Sequence, residues 1–297
     1  VEFTESLLSF FRTQELIVQP FNNAGETPFS VWQIADTNLL IHSIGLQAYA
    51  AFCEEARPQF FFQQRTINWV EAGYRTIHLW EDVWRQKPSL IASRLRALTG
   101  LSERIPARLT QLRRIDRPTT TQFLSENHLQ VPTLSKYKFG LFLPSRYFRV
   151  LSPSVQASLP AGLPELLVAV ATFSHPRTIP RQGRLCRSVE LVRFANRLGC
   201  TVVGGLDKLL KGFVAEQQPD DIMTYADLDW SDGRSYEKLG FVRQGLTEPN
   251  PFWPHPDEGI RYYPHRLPEG LTEADLPQRG YLAVYNAGSV KFVKIYG

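Results

Sequence analysis

The chain has 297 residues, of which 43% are hydrophobic and 21% charged, a globular composition too long for one ordinary domain and comfortable for two. Its longest unbroken apolar stretch, Leu166 to Ala171, falls far short of the ~20 residues that span a bilayer, so no membrane partner is expected. A net charge of +4 hides a concentration of positive charge: Arg85 to Arg117 carries a local +7 and Arg177 to Lys211 a local +6, which suits a polyanion such as nucleic acid.

Glu2 and Glu5 stand where a secretory signal would be basic. Cys53, Cys186 and Cys200 are odd in number and widely spaced, which argues against a disulfide framework and a structural zinc site. A reducing cytoplasmic setting is the expectation.

In chain order, Val31-Trp-Gln-Ile and Leu39-Leu-Ile-His-Ser-Ile flank Asp36-Thr-Asn and predict a β-hairpin. Helical patterns follow at Gln47 to Ala56 and Pro58 to Ala72, the second closed by Gly73, and Arg75 to Trp80 reads as a strand. One helix is then expected, with Trp80, Trp84, Ile91, Leu95 and Leu98 on one face, Arg85, Arg94 and Arg96 on the other, and its end at Gly100. The basic, proline-interrupted stretch Arg113 to Thr121 is the linker candidate.

After it, strands are predicted at Phe139 to Leu143, Leu166 to Phe173 and Asp221 to Ala226, with helices at Val189 to Leu198 and Leu206 to Gln217. Beyond Pro249 the proline-rich chain should cross the surface and end in a hairpin of Tyr281 to Tyr285 with Val290 to Ile295.

The chemistry-bearing stretch is Glu190-Leu-Val-Arg-Phe-Ala, Val202-Val-Gly-Gly-Leu-Asp-Lys, Thr224-Tyr-Ala-Asp and Asp232-Gly-Arg-Ser-Tyr-Glu-Lys-Leu-Gly-Phe. A Gly-Gly turn opening a helix aims free backbone N–H groups and the positive helix end outward, with Lys208 one turn in: an anion site. Plainer readings exist for each residue. Tyr236 and Phe241 serve equally as core aromatics, Asp227 as a turn cap through Ser231, and Arg193 as a helix-face partner of Glu190.

These motifs resemble the GNAT acyltransferase fold, and more closely its branch that includes the Mom-type DNA adenine-modifying proteins and a domain common in phage proteins. The resemblance implies Val203, Gly204, Gly205 and Lys208 as the phosphate-binding residues for an acyl-CoA, and Tyr236 as general acid, with Asp227, Tyr225 and Arg193 on polar site positions. The family's phosphate loop is shortened here to Val203-Gly-Gly-Leu.

The N-terminal half is similar to a nuclease-like domain of the very-short-patch-repair, PD-(D/E)xK class, strongest at Gly73-Tyr-Arg-Thr-Ile-His-Leu-Trp-Glu-Asp-Val-Trp, continuing to Arg108 and resuming at Asn127-His-Leu-Gln. The metal-holding acidic positions of that class are occupied here by Val31 and His42, so no metal site is expected; Asp36, Glu81 and Asp82 remain as its carboxylates. His78 reads as a core histidine, and His128 has no neighbouring base or nucleophile.

The expectation is therefore an α/β protein of two domains: a degenerate nuclease-like layer over 1–112, a linker over 113–121, and a GNAT-like mixed sheet with flanking helices over 122–297. Its expected work is group transfer to a nucleic acid, DNA above all, at a base amino group, with Arg85, Arg94, Arg96, Arg108, Arg113 and Arg114 on the phosphates. The alternatives are a catalytically silent DNA-binding scaffold and an active metal-dependent endonuclease using Asp36, Glu81 and Asp82.

Overall fold

The computed structural model describes residues 2–22, 25, 27–55, 58–181, 183–255 and 260–296. Its elements run α1 (Glu2–Thr13), β1 (Val18–Pro20), β2 (Ser30–Ile34), β3 (Leu39–Ile44), α2 (Leu46–Glu55), α3 (Phe61–Glu71), β4 (Arg75–Trp80), α4 (Glu81–Gln86), α5 (Pro88–Leu98), β5 (Glu103–Pro106), β6 (Gln111–Arg114), α6 (Arg117–Asn127), β7 (Tyr137–Pro144) and α7 (Pro153–Ser158). They continue as β8 (Glu165–Phe173), β9 (Arg177–Arg181), β10 (Arg184–Asn196), β11 (Cys200–Val203), α8 (Gly205–Gln217), β12 (Asp221–Asp227), α9 (Arg234–Glu237), β13 (Val242–Leu246), β14 (Pro251–Pro254), β15 (Arg261–Tyr262), β16 (Val284–Tyr285) and β17 (Ser289–Ile295).

The protein is mixed α/β and divides into two compact units, but not at the expected linker. The first comprises 1–88, 225–238 and 242–292; the second comprises 89–224, 239–241 and 293–297. The stretch 113–121 is no linker: it closes β6 and opens α6. Asp116 caps α6 by accepting the Thr119 N–H at 2.9 Å, and Pro118 sits in the first turn, where its missing N–H costs nothing.

In the first unit, β1, β2 and β3 are antiparallel neighbours and β4 adds parallel to β3, with α2 and α3 in the crossover. The predicted hairpin forms, Val31 opposite His42, and Asp36 takes the left-handed conformation (φ 57°) its turn requires. All six residues of β3 are buried, which fits a parallel neighbour better than a solvent-facing hairpin strand. Helix α1 adds Phe3, Leu7 and Phe11 at four-residue spacing to the core.

The helix expected from Trp80 to Gly100 is two helices, because Pro88 lacks the N–H that would continue α4 and instead starts α5. Ala56, the expected end of the first helical pattern, lies outside the described residues. The proline-rich segment does not merely cross the surface: β14 pairs with β15 and β16, and Phe252 and Trp253 are buried. Val284 and Tyr285 therefore pair with β14 and not with β17, so the expected terminal hairpin is absent.

In the second unit, β6, β7, β8 and β10 form an antiparallel series and β12 adds parallel to β10. The helix expected at Val189 to Leu198 is the long strand β10: the apolar residues Val189, Leu191 and Ala195 bury against β8 and β12, and tertiary pairing overrides a pattern that reads either way. A short parallel pair, β5 with β11, leads into α8. Leu209, Leu210 and Phe213 bury the inner face of α8, and Phe213 stacks on Phe173 at 3.8 Å.

Candidate functional site

The anion-site candidate forms where β11 turns into α8. Gly204 caps the helix in the left-handed conformation (φ 76°), which side chains rarely adopt. Gly205 is glycine for a different reason, since a Cβ there would stand 2.9 Å from Val202. Val203 and Gly204 are exposed, and the first helical hydrogen bond runs from the Lys208 N–H to the Gly204 carbonyl at 3.0 Å, so the N–H groups before it have no acceptor within α8.

Lys208 does not extend outward. Its ammonium donates to the carbonyls of Ala107 and Thr110, and burial lowers its pKa. The first turn also carries Asp207, paired with Lys211 at 2.7 Å, a carboxylate that itself satisfies the helix dipole. Burial and Asp207 together push the Tyr296 hydroxyl up to about 12.

On β10, Arg193 and Glu190 meet on a strand and not on a helix face. The register with β8 shifts between Leu191 and Arg193, an irregularity that turns residues three apart toward one side. Burial raises the Glu190 carboxyl, opposed by Arg193 and Arg177. Arg193 also donates to the Val192 carbonyl. Glu190 is a site candidate the sequence disclosed only as a charge partner, because its half-buried setting depends on β10 being a strand.

Tyr225, Asp227 and Tyr236 belong to the first unit. Tyr225 is exposed. Asp227 caps its turn: its carboxylate accepts the Asp229 N–H at 3.0 Å and its carbonyl the Ser231 N–H at 2.8 Å. Tyr236 is half-buried on the short α9, its ring 5.6 Å from Phe292. Sequence reasoning missed Asp229, which is fully buried and accepts from Trp80 Nε1 at 3.0 Å and from the Ala287 N–H at 2.9 Å. Burial, then Asp227, raise its carboxyl to about 7.

The carboxylates expected to serve a nuclease, Glu81 and Asp82, have other partners. Glu81 accepts the Leu46 N–H at the start of α2 and pairs with Arg85. Asp82 is buried against Arg261, which also lies 4.1 Å over the Phe252 ring. Burial works against the Arg261 charge, and Asp82 more than offsets it, so the guanidinium is held above its ordinary range. Among the described residues no group of three His, Cys, Asp or Glu is placed to hold a metal ion.

His42 is fully buried and lies 2.9 Å from His78, Nδ1 to Nδ1. Thr27 and Thr66 close the chain at the two Nε2 atoms, at 3.1 and 2.7 Å. Burial lowers both imidazoles, His78 to about 3. His78 is the satisfied core histidine its strand suggests.

Of the basic candidates, Arg113 pairs with Glu165 and lies over Phe142, and Arg114 pairs with Glu216. Arg96 donates to the Leu101 carbonyl at the end of α5. Arg108 is exposed in the turn whose carbonyls hold Lys208, and Arg94 is half-buried on α5. No helix among the described residues is long and apolar enough to cross a membrane.

No protein-family model matches the chain, and no curated protein matches it. Among solved structures it is similar to a chain of the NatC complex bound to a Gag peptide and CoA, at 12% identity and a TM-score of 0.34, over 63% of this chain and 99% of that one. A Bacillus subtilis acetyltransferase in complex with CoA aligns over the same shares, at 11% identity and a TM-score of 0.30. A KacTA–DNA complex aligns over 46% of this chain and 86% of the matched chain, at 16% identity and a TM-score of 0.29.

Proposed function

We propose that the chain is a group transferase acting on nucleic acid, whose second unit takes an acyl-CoA by its phosphates at the turn from β11 into α8. The observation that carries this reading is topological. Helix α8 is the crossover between the parallel strands β10 and β12, so its N-terminus lies at their carboxyl ends, where crossover folds of this kind place phosphate-bearing ligands. The exposed Gly204 and the uncapped N–H groups supply the cradle, and Glu190 is the carboxyl of this unit whose raised pKa suits proton exchange. A base amino group is the proposed acceptor.

A second reading, a silent binding protein, has its own support. Lys208 is bound to carbonyls, and both glycines have structural reasons to be glycine.

Calorimetric titration with CoA and acetyl-CoA separates the two. Acetyl-CoA is expected to bind, and Val203→Asp, which puts a carboxylate beside the free N–H groups at an exposed position, is expected to weaken it by about tenfold or more without lowering the melting temperature. Mass spectrometry of nucleosides from cells making the protein then reads the acceptor. No acetyl-CoA binding and no new nucleoside mass would leave the silent reading.

A further inference from the structure

The second unit carries an arm that the proposed function does not use. Strands β9 and β10 pair antiparallel from Arg177 opposite Ser188 to Arg181 opposite Arg184, and the ribbon turns through Gly183 at φ 76°. Between Pro176 and Val189 the sequence has four arginines and no acidic residue. Arg177, Thr178, Pro180, Arg184, Leu185 and Arg187 are all exposed.

Leu185 is 75% exposed and stands opposite Pro180 in the register. A leucine at the middle of an arginine-rich ribbon gains nothing from water, so the pair reads as contact surface.

The root of the ribbon is held by three hydrogen bonds. Ser188 donates to Asp221, the Arg187 N–H to Asp220, and the Arg187 guanidinium to the Gln217 carbonyl at the end of α8. Strand β10 then runs without a break into its pairing with β8. The ribbon is a stiff extension of the sheet, and Arg184 and Leu185 lie beyond the clamped residues.

We propose that this ribbon enters the major groove of duplex DNA, with Arg184 on a phosphate and Leu185 against base edges. Two paired strands stand about 4.8 Å apart, and the B-form major groove, about 12 Å wide, admits a two-stranded ribbon. The deep, narrow major groove of duplex RNA does not. An all-positive arm is complementary to the phosphate walls, and an exposed leucine suits the thymine methyl group. The inference rests on nucleic acid being the acceptor and names the element that engages it.

Fluorescence anisotropy with a labelled DNA duplex tests it. Arg184→Ala is expected to weaken binding by up to about tenfold and to flatten the dependence of log affinity on log salt by about one unit. Leu185→Ser is expected to weaken binding with the slope unchanged, and a major-groove dye, not a minor-groove one, should compete. Both positions are exposed, so melting curves should match the parent protein. Duplex binding that neither variant alters overturns the ribbon and leaves the nucleic-acid reading standing. No duplex binding by the parent protein at low salt overturns both.

Discussion

The core of the first unit holds a buried, hydrogen-bonded histidine pair. Val31 and His42 face each other across β2 and β3, and the ring at 42 passes its hydrogen bonding on to His78 and Thr66. Both rings are neutral when folded, because burial penalises the imidazolium. An unfolded histidine binds a proton below about 6.5, so in acid the unfolded state holds two more protons than the folded one, and stability falls as pH drops below that value. Asp229 acts in the opposite sense. Its folded pKa of about 7 lies above the unfolded value, so its contribution is fully present below the unfolded pKa and is lost as pH rises through 7. Near pH 5 the two effects leave a net slope of one proton, about 1.4 kcal/mol per pH unit. Asp229→Asn removes the opposing proton. Urea unfolding followed by tryptophan fluorescence should show an acid loss steeper in that variant by about one proton, roughly 1.4 kcal/mol per pH unit; an equal slope would mean that Asp229 is ionised throughout.

At the scale of elements, α8 lies against β6 through a glycine. A Cβ on Gly212 would come within 2.8 Å of both Leu112 δ-carbons. Alanine at a helix interior gains roughly 0.5–1 kcal/mol over glycine, whereas forcing a methyl group into a packed contact costs roughly 1–3 kcal/mol. Gly212→Ala is therefore expected to lower the melting temperature, and to raise it in a Leu112→Ala background, where the methyl has room. A stabilised single variant would show that Leu112 turns aside freely.

The same helix shows what the sequence discloses and what it withholds. Its span was legible from Gly204 and the apolar spacing of Leu209, Leu210 and Phe213, and so were β3, β4, β7, β8 and β12 from short runs of β-branched, aromatic or other apolar residues. Strand β10 was not, because Val189, Leu191 and Ala195 fit helical and extended spacing alike and only the neighbours β8 and β12 decide. The split of α4 from α5 was written at Pro88, and the cap of α6 at Asp116. At the site, the turn itself could be read, but the direction taken by Lys208 depends on carbonyls a hundred residues earlier in the chain.

For the whole molecule the consequential difference is where the chain divides. A boundary at 113–121 would let 1–112 fold alone, yet the first unit takes 225–238 and 242–292 from the far end of the sequence. The ties are buried and polar. The His78 N–H donates to the Asp229 carbonyl and Trp80 to the Asp229 carboxylate, Arg261 neutralises Asp82, and Gln63 donates to the carbonyls of Thr247 and Ala287. Cutting at residue 112 would leave the 3%-exposed Asp82 without its cation, a loss that for a buried pair costs about 3–5 kcal/mol, against a total stability of only about 5–15 kcal/mol for an ordinary domain. It would also uncover Tyr49 and Trp80, which the parent chain buries completely or nearly so. The fragments 1–112 and 113–297, made separately, are each expected to lack a cooperative thermal transition and to regain one when mixed, since the missing strands are then supplied in trans. A cooperative melt of 1–112 by itself would restore the boundary read from the sequence and would make the ties to 225–292 a late addition to a core already complete.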